Sequence, residues 1–251
     1  MKNFLTIPLL ISVFVILNTS SKYINNVFIG RNLKNNIEER YTKLNAIHLK
    51  NFLPRPNAYV IDTREFNVSD KGYFENSIIM PITFNYSRWF PAVINNGSNV
   101  ILICDESNYI SALEQTETLG PYHIFGYAIY NEIVEQGGIN VLKAEYNENT
   151  KKDVEKIVKD KEYIIDLREV VEFKETGVIE GAHLMPLSTF REDYVNLPKD
   201  LDIYVYCKLG KRALIGMSYA QRAGYTNRFV IMRGGMNKTI HEEYQLAKYT
   251  E

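Results

Sequence analysis

Cysteine is scarce in this chain. Its 251 residues include two, Cys104 and Cys207, which excludes a disulfide-rich scaffold. The four histidines are scattered, and none stands with a cysteine at the spacing of a zinc site. Charge of one sign is also lacking. The 29 basic and 30 acidic side chains leave a net charge of −1, so there is no electrostatic footprint for nucleic acid. No apolar run reaches the roughly 20 residues of a full membrane span. What is present is ordinary for a globular protein, 45% hydrophobic and 24% charged. The length holds one large or two small domains.

Residues 1–21 differ from the rest. Met1-Lys2-Asn3 is a short positive start, Phe4 to Leu17 is nearly all apolar, and Asn18-Thr19-Ser20-Ser21 is small and polar. This pattern reads as a secretory signal peptide. The absence of an Ala-x-Ala cleavage site keeps an uncleaved membrane anchor open. A first core helix fits less well, because the run is apolar on all sides. The expected location is therefore exported (periplasmic or secreted), or tethered to a membrane by the N-terminus. Residues 22–57 are rich in Asn, Lys and Glu, and the periodicity predicts an amphipathic helix over Ile37 to Phe52.

An internal repeat follows. Tyr59-Val60-Ile61-Asp62-Thr63-Arg64-Glu65 mirrors Tyr163-Ile164-Ile165-Asp166-Leu167-Arg168-Glu169. Ile79-Met80-Pro81-Ile82 mirrors Leu184-Met185-Pro186-Leu187, and Val100 to Cys104 mirrors Ile203 to Cys207. Three matches at nearly one spacing indicate two copies of one domain. Each copy alternates apolar strands with helical patterns, which predicts an α/β fold with a mostly parallel central sheet flanked by helices. The copies are placed at 38–140 and 153–251. An Asn/Glu/Lys-rich linker is expected around Val141 to Lys152, and Asp153 is expected to start the next helix.

Ligand sites in such sheets lie at the strands' C-terminal ends. Ile203 to Tyr206 reads as a buried strand ending at Cys207, and Ala213 to Ala223 reads as a helix closed by Gly224. Loop and first-turn N–H groups lack intrahelical partners and favour an anion. Lys208, Lys211 and Arg212 add positive charge, and Gly210 lets the backbone curl around the sulfur. Such surroundings lower a cysteine pKa from about 8.5 into a range of roughly 3.5 to 7.5. The alternative is a buried structural thiol beside an ordinary basic loop. Cys104 is followed by Asp105-Glu106-Ser107-Asn108-Tyr109, with no Gly or Arg. Its carboxylates oppose a thiolate, so Cys104 reads as structural, and Ser107 or Asn108 reads as an N-cap for a helix from Tyr109 to Leu119. A Cys104–Cys207 disulfide is the minor rival.

Cys207-Lys208-Leu209-Gly210-Lys211-Arg212 resembles the Cys-x-x-Gly-x-Arg loop of the rhodanese-like sulfurtransferases. Asp166-Leu167-Arg168 with Glu172-Phe173, Gly181-Ala182 with Pro186-Leu187, Ala223-Gly224-Tyr225 and Gly234-Gly235-Met236 are similar to further family segments, in order, over about residues 160–240. Val178 and Glu180 depart from the family's usual His and Pro. The resemblance implies two tandem rhodanese-like domains, an inactive first and an active second. Asn85-Tyr86-Ser87-Arg88-Trp89-Phe90 resembles the inactive first repeat of tandems fused to a metallo-β-lactamase domain. No His-x-His-x-Asp-His set occurs here, so persulfide oxidation is not implied.

The implied activity is sulfur transfer. Cys207 takes a sulfane sulfur from a small anionic donor such as thiosulfate and passes it as a persulfide to cyanide or a thiol. Lys211 and Arg212 are expected to hold the donor's anionic end, with Lys208, Leu209 and Gly210 lining the loop. No metal or organic cofactor and no nucleic-acid partner is implied. Four residues separate Cys207 from Arg212, against five in related phosphatases and arsenate reductases, so phosphate is expected to fit poorly. A persulfide carrier without turnover and a non-catalytic interaction module are the other classes. Asp166 and Arg168 are read as supporting residues, either bracing the site or forming a structural pair, Arg168 then with Glu172. His183 and Arg233 are assigned no chemical role.

Overall fold

The structure is a computed structural model, and it describes residues 36–249 except 54, 56, 70 and 71. The signal-peptide or anchor segment, residues 1–21, lies outside the described residues. Among the described residues, no helix is long and apolar enough to cross a membrane.

Residues 1–42 and 43–251 separate into two units. In the first, residues 36–40 form a helical turn in which Tyr41 N–H donates to the Ile37 carbonyl at 2.9 Å. The helix expected over Ile37 to Phe52 is therefore interrupted. Its second piece, α1 (Ala46–Phe52), starts afresh at Asn45 in the second unit. The Asn45 side chain accepts from His48 N–H, and the His48 ring accepts from Asn45 N–H, which is a reciprocal cap.

The second unit continues with β1 (Ala58–Asp62), α2 (Phe66–Ser69), β2 (Tyr73–Phe74), β3 (Ser77–Ile79), α3 (Tyr86–Val93), β4 (Asn99–Cys104), α4 (Tyr109–Glu117), β5 (His123–Ile129), α5 (Tyr130–Gln136) and β6 (Val141–Leu142). Next come β7 (Glu145–Asn147), α6 (Lys151–Lys159), β8 (Tyr163–Asp166), α7 (Val170–Thr176), β9 (His183–Leu184) and α8 (Phe190–Asp193). The chain ends with β10 (Ile203–Tyr206), α9 (Lys211–Arg222), β11 (Phe229–Met232) and α10 (Gly235–His241).

The first sheet runs β3-β1-β4-β5 and the second β9-β8-β10-β11-β7, every pairing parallel. The strand order is the same in both, and β7 extends the second sheet. The shared strand order is compatible with the duplication expected from the repeated segments. Strands covered on both faces read as continuous apolar runs, and β4 and β11 are buried almost throughout. Each half has its own core, one around Leu49, Phe52, Val60 and Ile101, the other around Val154, Ile157, Ile164 and Met232.

The expected linker is not a loop. β6 pairs antiparallel with β2 in the first half, while β7 joins β11 in the second. Only Lys143 and Ala144 lie between them. α6 begins at Lys151, with Thr150 rather than Asp153 as the N-cap. Asp153 sits three residues further on and accepts from Thr150 N–H at 2.9 Å.

α9 joins the two halves. Arg212 through Ala220 are all buried, as expected of a helix covered on every side. Ser218 Oγ accepts from the Ile79 amide of edge strand β3 at 3.0 Å, Tyr73 donates its hydroxyl to Gln221 at 2.9 Å, and Arg222 donates to the Ala58 carbonyl at 2.8 Å. An edge strand exposes unpaired amides, and here the helix that follows Cys207 covers one. α9 also starts two residues earlier than its apolar pattern suggests. Gly224 ends it at φ +97°, with Tyr225 N–H donating to the Ala220 carbonyl, which is the left-handed cap expected there.

Candidate functional site

Cys207 sits just past the end of β10, and only Lys208, Leu209 and Gly210 separate it from α9. Gly210 has φ +85°, a conformation that side chains disfavour. The turn after β11 presses on this loop. Met236 N–H donates to the Cys207 carbonyl at 2.7 Å, and Asn237 N–H donates to the Lys208 carbonyl at 3.0 Å. A Cβ on Gly235 would overlap the Cys207 carbonyl oxygen, so the Gly234-Gly235 pair is what lets α10 approach. Both carbonyls therefore point at α10. In trans peptides the N–H points opposite to the carbonyl, so the Lys208 and Leu209 amides face away from α10. Neither they nor the Gly210 amide donate to another protein group among the described residues.

Cys207 opens onto a cleft of about 410 Å³. The second half contributes Cys207, Lys208, Leu209, Arg212, Glu169, Val171 and Glu172 to its walls. The first half contributes Phe84, Asn85, Arg88 and Trp89. Cys207 is nearly covered, at 1% exposure, and it borders this cleft.

The basic residues of the loop do not all face the cleft. Lys211, expected to hold the donor, instead lies over the rings of Phe66 and Phe84, at 5.4 and 5.2 Å. As the first residue of α9 it projects toward the first half, where the two rings form an aromatic seat for a cation. Arg212 does line the cleft, but Glu172 grips it with bonds of 2.6 and 2.7 Å. Burial works against the Arg212 charge. The Glu172 hydrogen bonds and the nearby Cys207 sulfur outweigh it and raise the arginine's pKa. Burial also opposes charge on Glu172, yet Arg212 and the Glu169 amide hold its carboxyl below the usual carboxylate range. The expected Arg168–Glu172 pair is thus replaced by Arg212–Glu172.

Arg168 pairs with Asp166 instead. Both are almost fully buried, with Arg168 Nε and Nη2 donating to the carboxylate at 2.9 and 2.6 Å and Nη2 also to the Gly177 carbonyl at 2.7 Å. Neither residue lines the cleft. Arg64 repeats the arrangement in the first half, donating to Asp62 at 2.9 and 2.7 Å and to the Gly72 carbonyl at 2.7 Å. His183 stacks on Tyr163 at 4.1 Å, and Arg233 lies over Tyr146 and beside Glu148.

At the matching position of the first half, Cys104 is fully buried and beside Thr63 Oγ1 at 3.4 Å. Burial pushes its thiol up to about 12, against the Thr63 hydrogen bond and with help from Asp62 and Asp105. Asn108 precedes α4 without capping it through its side chain. It accepts from Asp105 N–H at 2.8 Å and donates to the Thr63 carbonyl at 3.2 Å. Both cysteines are free, so no Cys104–Cys207 disulfide exists. Among the described residues no His/Cys/Asp/Glu cluster could hold a metal ion.

The family model for the Rhodanese-like domain matches residues 150–242. This part of the chain is a rhodanese-like domain. A sulfurtransferase from Allochromatium vinosum is 30% identical over 73 residues, which are 29% of this chain and 66% of that protein. The chain thus spans just under two thirds of that relative. Among solved structures, reduced CoADR-RHD from Bacillus anthracis is 28% identical over 39% of this chain and 17% of its own, with a TM-score of 0.33. A thiosulfate sulfurtransferase from Pseudomonas aeruginosa is 14% identical over 84% of this chain and 44% of its own, with a TM-score of 0.36. The rhodanese-like domain supplies the cysteine loop, while the opposite cleft wall comes from residues outside the match. Phe84, Asn85, Arg88 and Trp89 form that wall. In the sequence they fall in and beside the Asn85–Phe90 segment, whose resemblance marks it without revealing that it faces Cys207.

Proposed function

We propose that the protein is a sulfurtransferase with Cys207 as its sulfur carrier. The Cys207 thiolate attacks the outer sulfur of a sulfane donor such as thiosulfate. The bond between outer and inner sulfur breaks, sulfite leaves with the electron pair, and Cys207 holds a persulfide. Cyanide or a thiolate then attacks the terminal sulfur, and the Cys207 thiolate is regenerated. No external oxidant or reductant is needed, nor a metal or organic cofactor.

One observation carries this reading. The Lys208, Leu209 and Gly210 amides have no acceptor among the described residues, beside a cysteine that opens onto a cleft. Unsatisfied donors at such a turn favour an anion, which both the thiolate and the persulfide are. The test is thiocyanate formation from thiosulfate and cyanide. Wild type should turn over, and Cys207→Ser should fall to background. Equal rates in both would refute the reading.

A further inference from the structure

Three cations line the cleft: Arg88, Lys208 and Arg212. Arg212 is already committed to Glu172 through two short bonds and is 6% exposed. Lys208 is exposed, on a loop whose backbone is tied to α10. Arg88 differs from both. Its side chain is 59% exposed, and its guanidinium is held over the Trp89 ring at 4.6 Å. Its nearest carboxylate oxygen, on Glu169, is 3.6 Å away, which is beyond a good hydrogen bond. Glu169 has another partner, since Ser188 Oγ donates to it at 2.7 Å.

From this we infer that Arg88, contributed by the half without a working cysteine site, anchors the oxyanion end of the sulfur donor and sets the preference for anionic donors. The inference rests on the sulfur-transfer reading of the same cleft. A guanidinium presents a planar fork of donors that matches an oxyanion's paired oxygens. An aromatic face under it limits its motion before the ligand arrives, so less freedom is lost on binding. Lys211 and Arg212 have other partners, which leaves Lys208 and Arg88, and of these two Arg88 carries the planar fork and is braced by an aromatic ring.

Trp89, the chain's single tryptophan, gives the experiment its readout. Thiosulfate is titrated into Cys207→Ser, where no transfer can occur, and into the double variants Cys207→Ser/Arg88→Ala and Cys207→Ser/Arg88→Lys, with circular dichroism confirming the fold of each. Indole fluorescence should change saturably in the parent. Loss of a charge-assisted bond worth about 1.5–3 kcal/mol predicts roughly tenfold to hundredfold weaker binding for the Ala variant, and Lys should restore part of it. If the Ala variant binds as tightly as its parent, or the parent does not bind, the inference is overturned. Failure of the sulfur-transfer reading looks different, because thiosulfate would still bind through Arg88 while wild-type Cys207 acquired no sulfur.

Discussion

Cys104 and Cys207 end equivalent strands of two sheets with the same strand order, yet their surroundings are opposite. Around Cys104, Asn108 takes the Asp105 amide and gives a hydrogen bond to the Thr63 carbonyl. The sulfur is sealed, and its thiol is pushed up to about 12. Around Cys207 no side chain fills that role. Gly210 turns the chain, the Gly234-Gly235 turn lets α10 take the carbonyls, and the opposed amides are left over. The frame is shared, and the loop residues decide whether the buried sulfur is sealed in or borders a cleft. The same comparison assigns the Asp-x-Arg motif. Asp62–Arg64 keeps the bonding of Asp166–Arg168 at the matching strand end beside Cys104, so the geometry assigns the pair the tying of strand to loop.

If that assignment is right, Arg64→Ala and Arg168→Ala should be equally damaging. Each leaves a buried carboxylate unpaired, costing about 3–5 kcal/mol in urea unfolding. An Arg168→Ala protein of normal stability that had lost only its sulfur transfer would break the symmetry. Gly235→Ala probes the difference between the loops. With φ +56° and the Cys207 carbonyl in the way, it should cost about 1–3 kcal/mol and abolish transfer.

Two pH profiles sharpen the contrast. Glu172 titrates below the usual range, so its contribution is present above an unfolded carboxylate pKa of about 4.3 and is lost as pH falls through the lower folded value. Glu172→Gln should therefore flatten the acid limb of stability. Cys104 titrates above its ordinary value of 9.0, at about 12. Its contribution is full below 9 and declines toward 12, by up to about 1.4 kcal/mol per pH unit. Cys104→Ala should remove that share of the alkaline limb without affecting transfer. The smallest effect belongs to Trp89→Phe. The buried indole N–H has no acceptor among the described residues, so no hydrogen bond is lost and the cost should be that of the smaller ring, about 1 kcal/mol in thermal unfolding.

Sequence alone revealed the parts whose physics is local. The apolar runs of β1, β4, β8 and β10, the cysteine at a strand end and the Gly224 cap are all readable from residue pattern. Side-chain direction was not. Lys211 and Arg212 look equivalent as adjacent cations, but their positions on α9 send one toward Phe66 and Phe84 and the other toward Glu172. The break at residues 41–45 depends on Leu44 N–H donating to the Tyr127 carbonyl, a contact between residues far apart in the chain. The Phe84–Trp89 wall was hidden for the same reason, since the packing of α9 against β3 and of α3 against α8 brings the first half beside Cys207.

The most direct measurement is peptide-level mass spectrometry of the wild-type protein after incubation with thiosulfate, reading both cysteines in one sample. Cys207 should carry one added sulfur atom, removable by cyanide, and Cys104 should carry none. Sulfur on Cys104, or none on Cys207, would contradict the division of roles between the two halves.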